Sequence, residues 1–140
     1  VLQPLLDSGP AALVVANRTT YRALDLAARA TGPVRGCGLD DLDRLCAAEG
    51  RFDLIINATS SGLSDQVPAL PGDSLAADGW VYDMLYGDAP TPFCRWGRAH
   101  GAGQVLDGLG MLVEQAAESF LLWRGVRPET APVIALLRNG

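Results

Sequence analysis

Lysine is missing altogether from the 140 residues: all eleven basic side chains are arginine. Arginine stays protonated near neutrality, so any proton exchange, Schiff base or phosphate hook that needs a lysine must come from outside these residues. Histidine is nearly as scarce. The one residue, His100, has no neighbour at metal-ligand spacing, so a helix-end position beside Gly101 is a better reading than a zinc site. The three cysteines, Cys37, Cys46 and Cys94, form no C-x-x-C pair, and their odd number fits reduced intracellular thiols better than a disulfide framework. Long apolar runs are also missing. The longest, Ala11 to Ala16, falls far short of the roughly 18 residues a membrane helix needs, and no basic-then-apolar leader opens the chain. The first residue is valine rather than methionine, which leads us to expect a processed chain or a fragment. Sixteen acids against eleven bases leave a net charge of -5, a surface that repels phosphate backbones and anionic lipid where no basic patch stands out. We therefore expect a soluble, cytoplasmic protein that binds neither nucleic acid nor membrane.

Hydrophobic residues make up 49% of the chain and charged ones 19%, enough apolar material for the core of one globular domain over residues 1–140. Short apolar runs alternate with longer amphipathic stretches, the pattern of strands and helices taking turns. Val1 to Leu6 reads as the last turns of a helix that began upstream, stopped by Ser8, Gly9 and Pro10. Strands are predicted at Ala12–Ala16 (fully buried), Val34–Cys37, Phe52–Ala58, Trp80–Leu85 and Gln104–Leu106. Helices are predicted at Thr20–Ala30, Leu39–Glu49, Pro92–His100, Leu109–Trp123 and Val133–Leu137. The order implies a Rossmann-like, doubly wound, mostly parallel sheet covered on both faces. In such a sheet the first strand is central, and here it would precede Val1 together with its glycine-rich turn. The Ala12 and Phe52 strands must then pair directly or leave unpaired edges, and the domain is expected to be unstable by itself.

Ligands of open parallel sheets sit beyond the carboxyl ends of the strands, so the residues just after each apolar run carry the chemistry. After the first strand come Asn17, Arg18 and Thr19, with Arg22 one turn on. An NAD site would place an acid there for the ribose hydroxyls, whereas arginine suits a 2'-phosphate and points to NADP. The alternative is two solvated surface charges. Asn57-Ala58-Thr59-Ser60-Ser61-Gly62 offers small side chains and hydroxyls that let a nucleotide approach, or it is an ordinary turn. In Tyr82-Asp83-Met84-Leu85-Tyr86, period-two alternation puts Tyr82, Met84 and Tyr86 on one face and Asp83 on the other. Tyr86 can then offer a hydroxyl to a substrate or pack its ring at the sheet edge.

The fourth place is Asp107 to Gln115, a strand-to-helix junction whose glycines, Gly108 and Gly110, allow a ligand near the helix start. Met111 and Gln115 share a helix face, so Met111 can line a cofactor while Gln115 bonds a polyol, or Gln115 is simply solvated. Leu109, Leu112, Ala116, Phe120 and Trp123 read as the stripe that meets the core. Asp107 fits a cap or turn better than a base, and Asp40, Asp41 and Asp43 fit a helix start better than a metal cluster.

Taken together, Asn17-Arg18-Thr19 with Arg22 and Ala23, Phe52 to Gly62, Tyr82-Asp83-Met84 with Tyr86, Thr91-Pro92-Phe93, Asp107 to Val113 with Gln115-Ala116, and the tail Phe120 to Trp123 with Gly125 and Pro128 resemble the shikimate dehydrogenase family. The resemblance covers almost the whole chain and is to the family's cofactor-binding domain. It implies NADPH-dependent reduction of 3-dehydroshikimate to shikimate, on the route to aromatic amino acids and chorismate. Carried over by position, Asn17, Arg18, Thr19 and Arg22 would bind the 2'-phosphate region, and Thr59 and Ser60 the cofactor along the sheet edge. Met84, Gly108 and Met111 would meet the nicotinamide end, while Tyr86 and Gln115 would touch shikimate. The family's catalytic lysine and aspartate belong upstream of Val1, so this chain alone is expected to be inactive and to need its own N-terminal domain, with a homodimer as a possible assembly. A quinate or shikimate dehydrogenase of broader specificity is a close variant. A non-catalytic nucleotide-binding module is a reading from another class, and an S-adenosylmethionine methyltransferase would want an acid where Asn17 and Arg18 stand.

Overall fold

A computed structural model describes residues 1–139 and divides the chain into two compact units, Val1–Arg51 with Ala69–Ser74, and Phe52–Pro68 with the remainder from Leu75. In the first unit, helix α1 (Leu2–Asp7) leads into strand β1 (Leu13–Asn17), helix α2 (Thr20–Ala28) and strand β2 (Val34–Gly38). A 3-10 turn at Leu39–Asp41 then opens helix α3 (Leu42–Glu49). β1 and β2 run parallel, Leu13 opposite Val34 through Asn17 opposite Gly38. The core of this unit is Ala23, Cys37, Leu42 and Leu45. Asp41 closes the α3 entry by accepting a 3.3 Å bond from the Gly38 amide, a helix-start role for one of the three clustered acids. Burial pushes the Cys37 thiol up, and the nearby Asp41 and Cys46 push it further.

The second unit holds strands β3 (Phe52–Asn57), β4 (Leu75–Asp83) and β5 (Gln104–Leu106) in one parallel sheet of that order. Helices α4 (Pro92–Ala99), α5 (Leu109–Arg124) and α6 (Ala131–Asn139) accompany them. β4 starts five residues before the sequence suggested, because a register shift between Phe52 and Leu54 lets Leu75 pair with Phe52 while Trp80 pairs with Leu54. The extra length includes Asp78 at φ 58, a left-handed turn of backbone inside a strand and therefore invisible to a period-two reading. Val81 and Phe93 are fully buried, joined in the core by Leu75, Cys94, Val113 and Ala117.

Two expectations are corrected. β1 is half-buried along its length rather than fully buried, since it has a ladder partner on one side only. The stripe of α5 that packs is Val113 and Ala117, four residues apart, and not the larger side chains: Leu112, Phe120 and Trp123 are exposed, Trp123 by 80%. Among the described residues β1 pairs with β2 in the first unit and β3 with β4 in the second.

α4 shows how tight the helix-on-strand contact is. Gly97 is buried against β4, and a Cβ there would drive into the Val81 side chain, a β-branched group with little rotamer freedom. Gly97→Ala should therefore destabilise the protein by about 1–3 kcal/mol through overpacking, despite the gain of about 1 kcal/mol that alanine brings to a helix interior. A lower denaturant midpoint checks this, and a raised one would show that Val81 can swing aside.

Candidate functional site

In the first unit the end of β1 turns on Asn17, whose Oδ1 accepts the Thr19 amide at 2.8 Å. Thr19 is the N-cap of α2, and its carbonyl accepts the Arg22 amide at 3.0 Å. Arg18 and Arg22 are exposed around this turn, and among the described residues no carboxylate pairs with either.

The second unit brings its three strand ends into one row. The Asn57 carbonyl accepts the Met84 amide at 3.0 Å, and the Leu85 carbonyl accepts the Gly108 amide at 2.9 Å, so the turns after β3, β4 and β5 are stitched in strand order. Gly108 is buried, and a Cβ on it would collide with the Met84 carbonyl; only glycine permits this approach. At Gly110 the space is open, with nothing within 4 Å of where a Cβ would stand. A ligand can therefore come up to the first turn of α5, where Met111 is half-buried and Gln115 exposed.

Side chains reinforce the row. Asp83 is completely buried, yet it accepts from Asn57 Nδ2 at 3.0 Å, from the Leu85 amide at 3.1 Å and from Thr91 Oγ1 at 2.6 Å. Asn57 Oδ1 in turn accepts from the Thr59 amide at 3.1 Å and hydroxyl at 2.7 Å, and the Thr59 and Ser61 hydroxyls lie 2.6 Å apart. Thr91 caps α4 by accepting the Cys94 amide at 3.1 Å, with Pro92 at the first helical position. Thr59 and Ser60 are exposed at the head of this chain of bonds. Arg95 spans the rim, bonding the Pro90 carbonyl and the Asp65 carboxylate at 2.8 Å each.

At the other end of the row Asp107 accepts the Leu109 amide at 3.2 Å and the Arg138 guanidinium at 2.8 Å, so α6 is tied to the start of α5. The turn role read from its Asp-Gly sequence is what it plays. Burial pushes the Tyr82 phenol up, Asp107 pushes it further, and a hydrogen bond with the Met111 backbone opposes both. His100 is the C-cap of α4, its ring stacked on Trp96 at 4.6 Å and its Nδ1 2.8 Å from the Trp96 carbonyl.

Thus Thr59, Ser60, Met84, Gly108 and Met111 share one edge of the second unit, while Asn17 to Arg22 stand at a strand end of the first. Tyr86 lies past the end of β4 in a loop and is half exposed, so strand alternation does not govern where it points. Sequence reasoning passed over Asp83, Asn57 and Thr91 as a group. A signal was present: an acid inside the apolar run Trp80 to Leu85, an asparagine closing the neighbouring strand, and Thr-Pro before a helix.

A sequence model of the Shikimate 5'-dehydrogenase C-terminal domain family matches residues 108–138. The chain is 59% identical over 140 residues to the shikimate dehydrogenase (NADP(+)) of Thioalkalivibrio sulfidiphilus, covering 99% of this chain and 50% of that protein. It is similar to the Ael1 enzyme of Pseudomonas putida, at 41% identity and a TM-score of 0.83 over 97% of this chain and 49% of that one. It is also similar to the Thermus thermophilus shikimate 5-dehydrogenase solved with NADP(H) and shikimate, at 30% identity and a TM-score of 0.74 over 96% and 48%. The chain spans about half the length of these relatives. The parallel ladders and strand-end turns are those of a Rossmann-type α/β fold, and the chain is similar over its length to the C-terminal half of shikimate dehydrogenases, whose C-terminal-domain model it matches at residues 108–138.

Proposed function

We propose that this chain is the cofactor-binding half of an NADP-dependent shikimate dehydrogenase, which reduces 3-dehydroshikimate to shikimate in the cytoplasm with a substrate-binding domain outside these residues. The observation that carries the reading is the row of stitched strand ends, in a chain 59% identical across its length to an enzyme of that name. What supports the cofactor is the donor set: Arg18 and Arg22, without carboxylate partners among the described residues, for a 2'-phosphate, exposed Thr59 and Ser60 hydroxyls, and open space at Gly110. When bound, NADPH supplies the hydride.

The residues of this chain act by positioning. Asn17 and Thr19 hold the turn that presents the two arginines, so the adenosine end is recognised by charge at a fixed place. Gly108 brings the β5 turn hard against Met84, leaving Met84 and Met111 as the apolar surface for a nicotinamide. Gln115, one turn beyond Met111, and Tyr86 offer an amide and a phenol to the hydroxyls of the substrate. The proton for the carbonyl oxygen comes, on this reading, from the lysine and aspartate of the other domain, this chain having no lysine.

Two substitutions in the complete enzyme test the assignment. Arg18→Ala should weaken NADPH binding by about 1–3 kcal/mol and leave NADH nearly untouched, because only the 2'-phosphate loses its charge-assisted bonds. Cofactor titration decides, and equal losses for the two cofactors would remove the 2'-phosphate role. Gln115→Ala should raise KM for shikimate or lower kcat while cofactor affinity is kept. A change confined to NADPH affinity would refute the substrate contact.

A further inference from the structure

We propose that Asp83 is a positioning residue of this enzyme: one buried carboxylate sets both the loop that meets the cofactor after β3 and the loop that meets nicotinamide and substrate after β4. The ligands named for the two loops rest on the function proposed above; the positioning itself rests on the geometry. The three groups that donate to Asp83 belong to three different segments, the end of β3 (Asn57), the turn after β4 (Leu85) and the cap of α4 (Thr91).

Asp83 also decides which way Asn57 faces. An amide side chain has a donor end and an acceptor end, and because the donor end is bound to Asp83, the acceptor end is turned to the Thr59 amide and hydroxyl. Reversed, Asn57 would present N–H to N–H, and the Thr59 turn would open. On the other side, the bond to the Leu85 amide bends the chain directly after β4, which determines how Met84 and Tyr86 leave the strand. The Thr91 hydroxyl donates to Asp83 while accepting from Cys94, so the start of α4 is registered to the same carboxylate. No ion pair among the described residues reaches Asp83. A buried acid held only by hydrogen bonds adds less stability than an apolar side chain of similar size would, and what it adds instead is a single arrangement of its donors.

The test uses the complete enzyme and the variants Asp83→Asn, Thr91→Val and Thr91→Ser. Thr91→Val removes the Asp83–Thr91 bond and Thr91→Ser retains it, while Asp83→Asn replaces one of the two acceptor oxygens by an NH2, so that the three donors can no longer all be accepted in the same arrangement. Expected is a rise of about tenfold in KM for NADPH and for shikimate together in Asp83→Asn and Thr91→Val, with both values restored in Thr91→Ser. A lowered melting temperature with both KM values unchanged, well below unfolding, would overturn the proposal, as would a rise in only one of them. Amide hydrogen exchange supplies a readout without turnover. Residues 57–62 and 84–86 should lose protection together in Asp83→Asn and Thr91→Val, and protection kept in either segment would overturn the shared role. If the unsubstituted enzyme failed to act on shikimate, the function proposed above would fall, and the exchange comparison would still uphold or refute the role of Asp83. Should Asp83→Asn not fold, the Thr91→Val and Thr91→Ser pair carries the same comparison.

Discussion

The carboxyl ends of parallel strands are where backbone ladders stop and polar groups lose their partners, and in the second unit that deficit is met by Asp83. Its oxygens satisfy an amide side chain, a backbone N–H and a hydroxyl in a place that water does not reach. Removing one member of such a set leaves the others buried without partners, a penalty of about 1–3 kcal/mol for each neutral group. Asn57, Asp83 and Thr91 are thus constrained as a unit, and the exposed groups of Thr59, Ser60 and Tyr86 inherit their places from it.

Much of this architecture is legible in the amino acids. Phe52 to Asn57 announces a strand by its β-branched, apolar run, and Thr91-Pro92 announces a helix start by cap and fixed φ. What escapes a local reading depends on partners distant in the chain. β4 begins at Leu75 because Phe52 offers it a ladder across a bulge, which no window around Leu75 can show. Hydrophobic size is likewise a poor guide to the packed face of α5: Val113 and Ala117 are buried while the larger Leu112, Phe120 and Trp123 are exposed. The turn of Asp107 could be read from its Asp-Gly sequence alone. The bonds from Arg95 to Asp65 and from Arg138 to Asp107 join residues some thirty positions apart and carry no local signature.

The candidate site divides its chemistry in a way that matches the composition. In a chain without lysine the basic side chains other than His100 are permanent cations, and two of them, Arg18 and Arg22, stand exposed just after β1. The strand-end row of the second unit contributes hydroxyls, an amide, thioethers and backbone, groups that orient and shield but exchange no protons near neutrality. Gly108 and Asp83, which act by close approach and by accepting hydrogen bonds, sit at the centre of the arrangement.

The free edges of β1 and β3 bear on how this chain behaves as a material. Among the described residues each strand has a ladder partner on one side only, and its other side, flanked by Val14, Val15, Ile55 and Ile56, is a template on which another extended chain can add. A charge of -5 keeps copies apart at low ionic strength, but screening shortens that repulsion to roughly 8 Å at physiological salt. The colloidal stability of the isolated chain therefore falls as salt rises, edge-to-edge association taking over where mutual repulsion fades.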